Sequence, residues 1–206
     1  MAWYDVFSSF YDAALEPLYA EQRTLAADAL ALEPGMSVLD VPCGTGQSFP
    51  AIAAKLGGRG AIIGVDASAG MQRRAAARAP QPGVSITTLH ARAEELAPAS
   101  LQAALDGRDR VDRLHVFLGM SVFPDMQLAF DRLWSLLAPG GRAVIVDVHA
   151  EQLGLQGHAV NLIAGADIRR RFWEPLEARA RGFERRDLPF NARHGGQIML
   201  AVGDKP

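Results

Sequence analysis

Apolar and polar positions along this chain fall into blocks whose period changes. From about residue 18 onward, short apolar bursts alternate with longer amphipathic stretches. A burst too short for a helix and bounded by turn residues reads as a buried strand. A stretch with apolar residues three and four apart reads as a helix. Strands alternating with helices are the pattern of a mostly parallel sheet covered by helices, an α/β fold.

The pattern predicts an aromatic-rich helix over residues 3–15 and a second over 18–32, stopped by Pro34-Gly35. A first strand falls at 37–41, then a helix at 47–57 ended by Gly57-Gly58. A strand at 61–65, a helix at 68–79 ended by Pro80 and a strand at 84–89 follow. Residues 98–105 read as a short helix, with Pro98 near its start and Gly107 past its end. Next come a strand at 111–118, a helix at 125–138 ended by Pro139-Gly140-Gly141, and a strand at 142–148. A helix over 165–181 is expected to end at Gly182. The tail reads as two strands, 183–190 and 196–203, around a turn at His194-Gly195-Gly196.

Composition narrows the class. The 206 residues are 49% apolar and 21% charged, the balance of an ordinary globular protein. With no internal repeat and no low-complexity linker, residues 1–206 are expected to form a single domain. A net charge of -2 argues against a nucleic-acid binder that relies on a basic footprint. The single cysteine, Cys43, excludes an intrachain disulfide and a Cys-cluster zinc site. Residues 1–11 carry Asp5 and no basic residue, unlike a secretory signal. No apolar run reaches the ~18–20 residues of a membrane span. The expected compartment is the cytoplasm.

The most informative segment is Val38-Leu39-Asp40-Val41-Pro42-Cys43-Gly44-Thr45-Gly46. An apolar strand enters a turn with two glycines, and a helix follows. Glycine lets backbone approach a ligand closely, and the N–H groups at the following helix start can bind a polar group. A dinucleotide site wants G-x-G-x-x-G, but the third glycine position here is Phe49, which disfavours that reading. An acid at the strand end, Asp40, suits a ligand with an amino group and no pyrophosphate. The next strand ends in Gly64-Val65-Asp66-Ala67-Ser68, with Asp66 lying 20 residues after Gly46. A carboxylate at that tip can accept from both ribose hydroxyls of a nucleoside. Ser68 can cap the following helix, which leaves Asp66 free.

These residues resemble the class I S-adenosylmethionine-dependent methyltransferases. Val38 to Gly46 looks like the family's first motif and Gly64 to Ser68 its second. Leu137-Ala138-Pro139-Gly140-Gly141-Arg142 looks like its turn before the fifth strand. The subgroup most resembled contains ubiquinone/menaquinone C-methyltransferases and small phospholipid N-methyltransferases, a likeness to which Phe10-Tyr11-Asp12 adds. The resemblance implies a Rossmann-like seven-stranded sheet of order 3-2-1-4-5-7-6, with strand 7 antiparallel. It implies S-adenosyl-L-methionine as cofactor and S-adenosyl-L-homocysteine as product. Asp40, Gly44 and Gly46 would hold the methionine part, Asp66 the ribose, and Ala67 and Met71 the adenine. Tyr11, Pro42, Cys43, Arg92, Ala93 and Phe117 complete the expected cofactor contacts.

Two positions depart from the family pattern. Pro42 stands where glycine is usual, and proline fits a turn only if its N–H is not needed. Arg92 stands where an acid usually accepts from adenine N6. Arginine has no acceptor, so backbone carbonyls at 91–93, or Glu94, would have to serve.

The reading of the chemistry is methyl transfer to a small organic or lipid-like acceptor. The (Asp/Asn)-Pro-Pro-aromatic tetrad of amino-group DNA and protein methyltransferases is absent, and no His/Asp/Glu set has metal spacing. His149, just past the strand at 142–148, is the candidate base; His115 reads as too deep in the sheet, and His158 and His194 as loop residues. Tyr4, Phe7 and Tyr11 share one helical face. That face reads as a core stripe or, with residues 1–32, as a lid over the cofactor. The arginine-rich stretch 169–186 reads as a solvated face or as a contact for an anionic surface. A non-methylating S-adenosylmethionine-binding protein and a 3-amino-3-carboxypropyl transferase remain the alternatives on the same fold. Oligomeric state leaves no trace in the sequence.

Overall fold

A computed structural model describes residues 17–79, 81–154, 157–158, 161, 165–189 and 196–206. The expected helix at 3–15, with Tyr11, and His194 lie outside the described residues.

Seven strands form one sheet: β1 (Ser37–Asp40), β2 (Gly60–Asp66), β3 (Val84–His90), β4 (Val111–Phe117), β5 (Leu137–His149), β6 (Arg181–Asp187) and β7 (Gln197–Asp204). Their order is β3-β2-β1-β4-β5-β7-β6, and β7 runs antiparallel to both neighbours. The order implied by the family resemblance is the order found. Among the described residues the helices named here are α1 (Ala20–Ala29), α2 (Phe49–Lys55), α3 (Ala69–Arg78), α4 (Pro98–Gln102), α5 (Met126–Leu136) and α6 (Glu174–Glu177).

The central strands are apolar on both faces because helices cover both sides. One core holds Leu39, Ile63, Leu114, Ile145 and the buried face of α5, with Phe130 and Leu133. The other holds Val38, Ile62, Val144 and Val146 against Ala26, Leu30, Phe49 and Ile52. Thus α1 packs into the second core. Among the described residues, no helix is long and apolar enough to cross a membrane.

Three differences from the sequence expectation bear on the fold. The helix expected over 165–181 reduces to Glu174–Glu177, with turns before and after it. Its apolar residues Ile168, Phe172, Trp173 and Leu176 are buried, but they pack as an irregular segment rather than as one helical stripe. The last pair of strands starts at Arg181, so Gly182, at φ +60, lies inside β6 and not at a helix end. Extended backbone begins at Leu137 rather than Arg142, because Leu137 already pairs with Val111 before the register shifts at the Gly140 turn.

Candidate functional site

In the parallel part of the sheet the chain order reverses between β1 and β4. The loops leaving these two strands diverge to opposite sides, and a crevice opens between them. A cavity of about 540 Å³ lies there. That is the size of an ordinary small-molecule site.

One wall is built from the tips of β1, β2 and β3. The Val41 N–H donates to the His115 carbonyl at 3.0 Å and the Cys43 N–H to the Val65 carbonyl at 2.8 Å, which pins the turn between β4 and β2. Gly44 has φ +55, and a Cβ built there meets nothing within 4 Å. Bare backbone therefore faces the cavity, as a close-approaching ligand requires. Gly46 serves a different end. Its φ is +77, and a Cβ there would lie 2.7 Å from the Phe49 ring. Phe49 is fully buried and also lies under Gly64 of β2, where a Cβ would meet the ring at 2.5 Å. The residue that replaces the third dinucleotide glycine is thus a plug between α2 and the sheet.

Asp66 closes this wall. Its Oδ2 accepts from the Gly44 N–H at 2.9 Å and its Oδ1 from the Ser68 N–H at 2.8 Å. Burial raises its pKa, the two N–H groups partly offset the rise, and the Asp40 charge adds to it. Each oxygen keeps lone-pair capacity for a further donor. Ser68 is the cap of α3, its hydroxyl accepting from the Met71 N–H at 3.3 Å. Pro42, Cys43, Gly44, Ala67, Met71, Arg92 and Ala93 all line the cavity. Pro42 follows a cis peptide bond. Burial, with the Asp40 and Asp66 charges, raises the Cys43 thiol well above its ordinary pKa, which favours a neutral packed thiol. Arg92 lies 3.7 Å from Glu94 and 3.9 Å from Glu95. Glu94 also lines the cavity and accepts the Asp125 N–H at 3.4 Å.

The opposite wall comes from scattered segments. Tyr19 and Arg23 enter from the α1 region, and Phe117, Leu118 and residues 121–124 follow β4. Asp147, Val148 and residues 165, 166 and 168 complete it. Arg23 reaches the Gln47 side chain, and its guanidinium carbon lies 5.3 Å from the Phe117 ring centroid. Leu118 sits at φ +54, a costly conformation for a branched residue, and is held there by donating to the Val146 carbonyl at 2.7 Å. Asp147 Oδ2 accepts from the Ser121 N–H at 2.9 Å; its Oδ1 accepts from the Ser121 hydroxyl and the Val148 N–H, each at 2.8 Å. Burial pushes its pKa up to about 6 against the pull of these donors.

Three expected site residues stand elsewhere. Asp40 is fully buried and receives His115 Nδ1 at 2.7 Å, so it is turned into the sheet and does not line the cavity. Gly46 is spent on packing against Phe49. His149 sets its ring edge-on to Trp173, centroids 4.8 Å apart, with Nδ1 3.2 Å from the Arg170 carbonyl, and it too is outside the lining. Its ring thus packs against Trp173 and is not among the cavity-lining residues. Arg23, Ser121 and Asp147 were missed. Asp147 left a signal, as the one acid in the buried run Ala143-Val144-Ile145-Val146-Asp147-Val148.

A family profile described as "Methyltransferase domain" matches residues 38–141, half of the chain. The chain is 30% identical over 126 residues to the 2-phytyl-1,4-naphtoquinone methyltransferase of Thermosynechococcus vestitus, covering 61% of this chain and 52% of that protein. It is 28% identical over 147 residues to the protein of the same name in Synechococcus elongatus, covering 70% and 59%. The chain thus spans between half and three fifths of the length of these curated relatives. Among solved structures it is similar to the geranyl diphosphate C-methyltransferase of Streptomyces coelicolor A3(2), solved with Mg2+, geranyl diphosphate and S-adenosyl-L-homocysteine. The TM-score is 0.69 at 18% identity, covering 94% of this chain and 82% of that one.

Proposed function

The chain belongs to the class I S-adenosylmethionine-dependent methyltransferases, and from that premise we propose that it transfers a methyl group to a small, largely apolar organic acceptor. The observation that carries the reading is the cavity at the switch point, where the bare backbone of Gly44 and the carboxylate of Asp66 lie on one wall. S-adenosylmethionine, when bound, supplies a methyl carbon already activated by a sulfonium.

The residues' own work is then binding and alignment. Gly44 backbone admits the amino-acid part, and Asp66 accepts from ribose hydroxyls. Met71 and Ala67 flank the adenine, and Glu94 supplies the N6 acceptor that Arg92 lacks. Asp40 acts at a distance: its charge bears on both Cys43 and Asp66, and so adds negative potential where a sulfonium would lie. Alignment in a closed site is worth roughly 7–11 kcal/mol of a displacement barrier. The lid role expected of the N-terminal region is supported, among the described residues, by Tyr19 and Arg23 on the cavity wall. The acceptor end is lined by Val122, Phe123, Pro124, Val148 and Ile168, which suits an aromatic or prenyl-like body. The two relatives named for a naphthoquinone support an acceptor of the quinone class.

Calorimetry with S-adenosylhomocysteine, S-adenosylmethionine and NAD tests the cofactor reading. The first two should bind and NAD should not; tight NAD binding without S-adenosylhomocysteine binding would sink it. Incubation with methyl-labelled cofactor and reduced naphthoquinones tests transfer, with label in the organic extract as the expected result.

A further inference from the structure

Ser121 and Asp147 are a polar pair beside the apolar residues Val122, Phe123, Pro124, Val148 and Ile168, and they come from different segments. Ser121 follows β4, and Asp147 sits near the end of β5. The turn that carries Ser121 is fixed on several sides. Its N–H goes to Asp147 at 2.9 Å, its carbonyl accepts from the Asp167 N–H at 2.8 Å, and Arg170 Nη1 donates to the carbonyls of Met120 at 3.3 Å and Phe123 at 2.6 Å. Leu118, in its left-handed conformation, starts the same turn. A serine so held is a placed group and not a surface rotor.

A serine hydroxyl has one hydrogen and two lone pairs. Here the hydrogen is committed, since Oγ donates to Asp147 Oδ1 at 2.8 Å. What remains for a ligand in the cavity is acceptor capacity alone. Asp147 cannot trade roles easily. Its oxygens already accept from the Ser121 N–H and the Val148 N–H, which hold it as the acceptor of the pair. The charged groups on the segment packed against this turn are Asp167 and Arg170, and their contacts here are to backbone carbonyls or through backbone N–H, not to the Asp147 carboxylate. With burial raising Asp147 to about 6, the carboxylate form still prevails at neutral pH.

We propose that Ser121, oriented by Asp147, is the specificity residue of the acceptor site, and that it selects an acceptor carrying a hydroxyl donor. The inference rests on the methyltransferase reading and names the acceptor's chemistry within it: a hydroxylated aromatic such as a quinol, rather than its ether or the bare hydrocarbon. A site built to receive a hydroxyl rejects the analogue that lacks it, because the buried acceptor is then left unpaired. Ser121 is the contact, and Asp147 is a positioning residue that acts through it.

The test uses the full chain saturated with S-adenosylhomocysteine. 1,4-Dihydroxynaphthalene, kept reduced under anaerobic conditions, and 1,4-dimethoxynaphthalene are titrated by calorimetry. The wild type should bind the diol about tenfold more tightly than the diether. Ser121→Ala should bring the two affinities to within about twofold while leaving S-adenosylhomocysteine affinity unchanged. Ser121→Thr, which keeps the hydroxyl, should restore the preference. Ser121→Ala leaves the backbone N–H on Asp147, so its fold is expected to survive, and the unchanged cofactor affinity checks this. Equal binding of diol and diether by the wild type, or the same preference in Ser121→Ala, would overturn the inference with the cofactor reading intact. Failure of S-adenosylhomocysteine to bind the wild type would instead overturn the proposed function, and this inference with it.

Discussion

The two walls of the cavity are built on different principles. The wall at β1 to β3 is held by backbone: Cys43 to Val65, Gly44 to Asp66, Ser68 to Asp66. Its members lie in short runs, 42–48, 65–71 and 91–94. The wall at β4 and β5 is held by side chains reaching between distant segments: Ser121 to Asp147, Arg170 to the turn at 120–123, Arg23 over Phe117. A ligand common to a whole family needs main-chain shape and one acid, which a local motif records. A particular acceptor is read by loops that a rigid scaffold brings together.

The comparison breaks first, and most severely, at Gly46. Gly46→Ala combines left-handed strain with overpacking against the Phe49 ring, costing about 3 kcal/mol together. Urea denaturation should show the midpoint fall, and Gly44→Ala, where the Cβ meets nothing, should cost clearly less stability. Equal costs at the two glycines would mean that Phe49 is not a tight plug.

Asp147 should sharpen the comparison from the other wall through pH. Burial lifts its carboxyl from an ordinary value of 3.8 to about 6, so the folded chain holds this proton more tightly than the unfolded chain. The stability it contributes is greatest below pH 4 and is lost as pH rises through 6, by about 3 kcal/mol in all. Denaturation curves of the wild type and Asp147→Asn, taken from pH 4 to pH 7.5, should diverge as pH rises through about 6 and run parallel above that. Parallel curves throughout would place Asp147 at an ordinary pKa.

Asp66→Ala should act on the first wall with a smaller effect. Two hydrogen bonds to a carboxylate are lost, and S-adenosylhomocysteine affinity should fall at least about tenfold. An unchanged Kd in calorimetry would reduce Asp66 to a clasp for Gly44 and Ser68. The smallest effect belongs to Arg92. It carries donors only, as does adenine N6, so Arg92→Ala should leave the preference for adenosine over inosine cofactor analogues as it was. Loss of that preference in competition titrations would overturn the role given to Glu94.

Much of the first wall was legible residue by residue. Gly44 and Asp66 carry chemistry in their own identities, and Ser68 caps α3 as its position before the helix suggested. The alternating apolar blocks made the sheet legible too, because period and burial are local consequences of strand and helix geometry. Asp40 and His149 stand outside the cavity lining, for a shared reason. Each stands at a strand end near the crevice, but position along a strand does not say which neighbour a side chain meets. Asp40 found His115 across the β1–β4 pairing, and His149 found Trp173 from an irregular segment.

The sequence by itself determined the strand order, through the family motifs, and the place of the glycine cradle, because both follow from contiguous residues and their spacing. Only the tertiary structure decided that Phe49 fits under Gly46 and Gly64, that Ser121 meets Asp147, and that Arg170 clasps the turn at 120–123. Apart from Phe49 with Gly46, those contacts join residues distant in the chain. Side-chain direction at a crossing is set by what packs against it, and no local pattern encodes that neighbour.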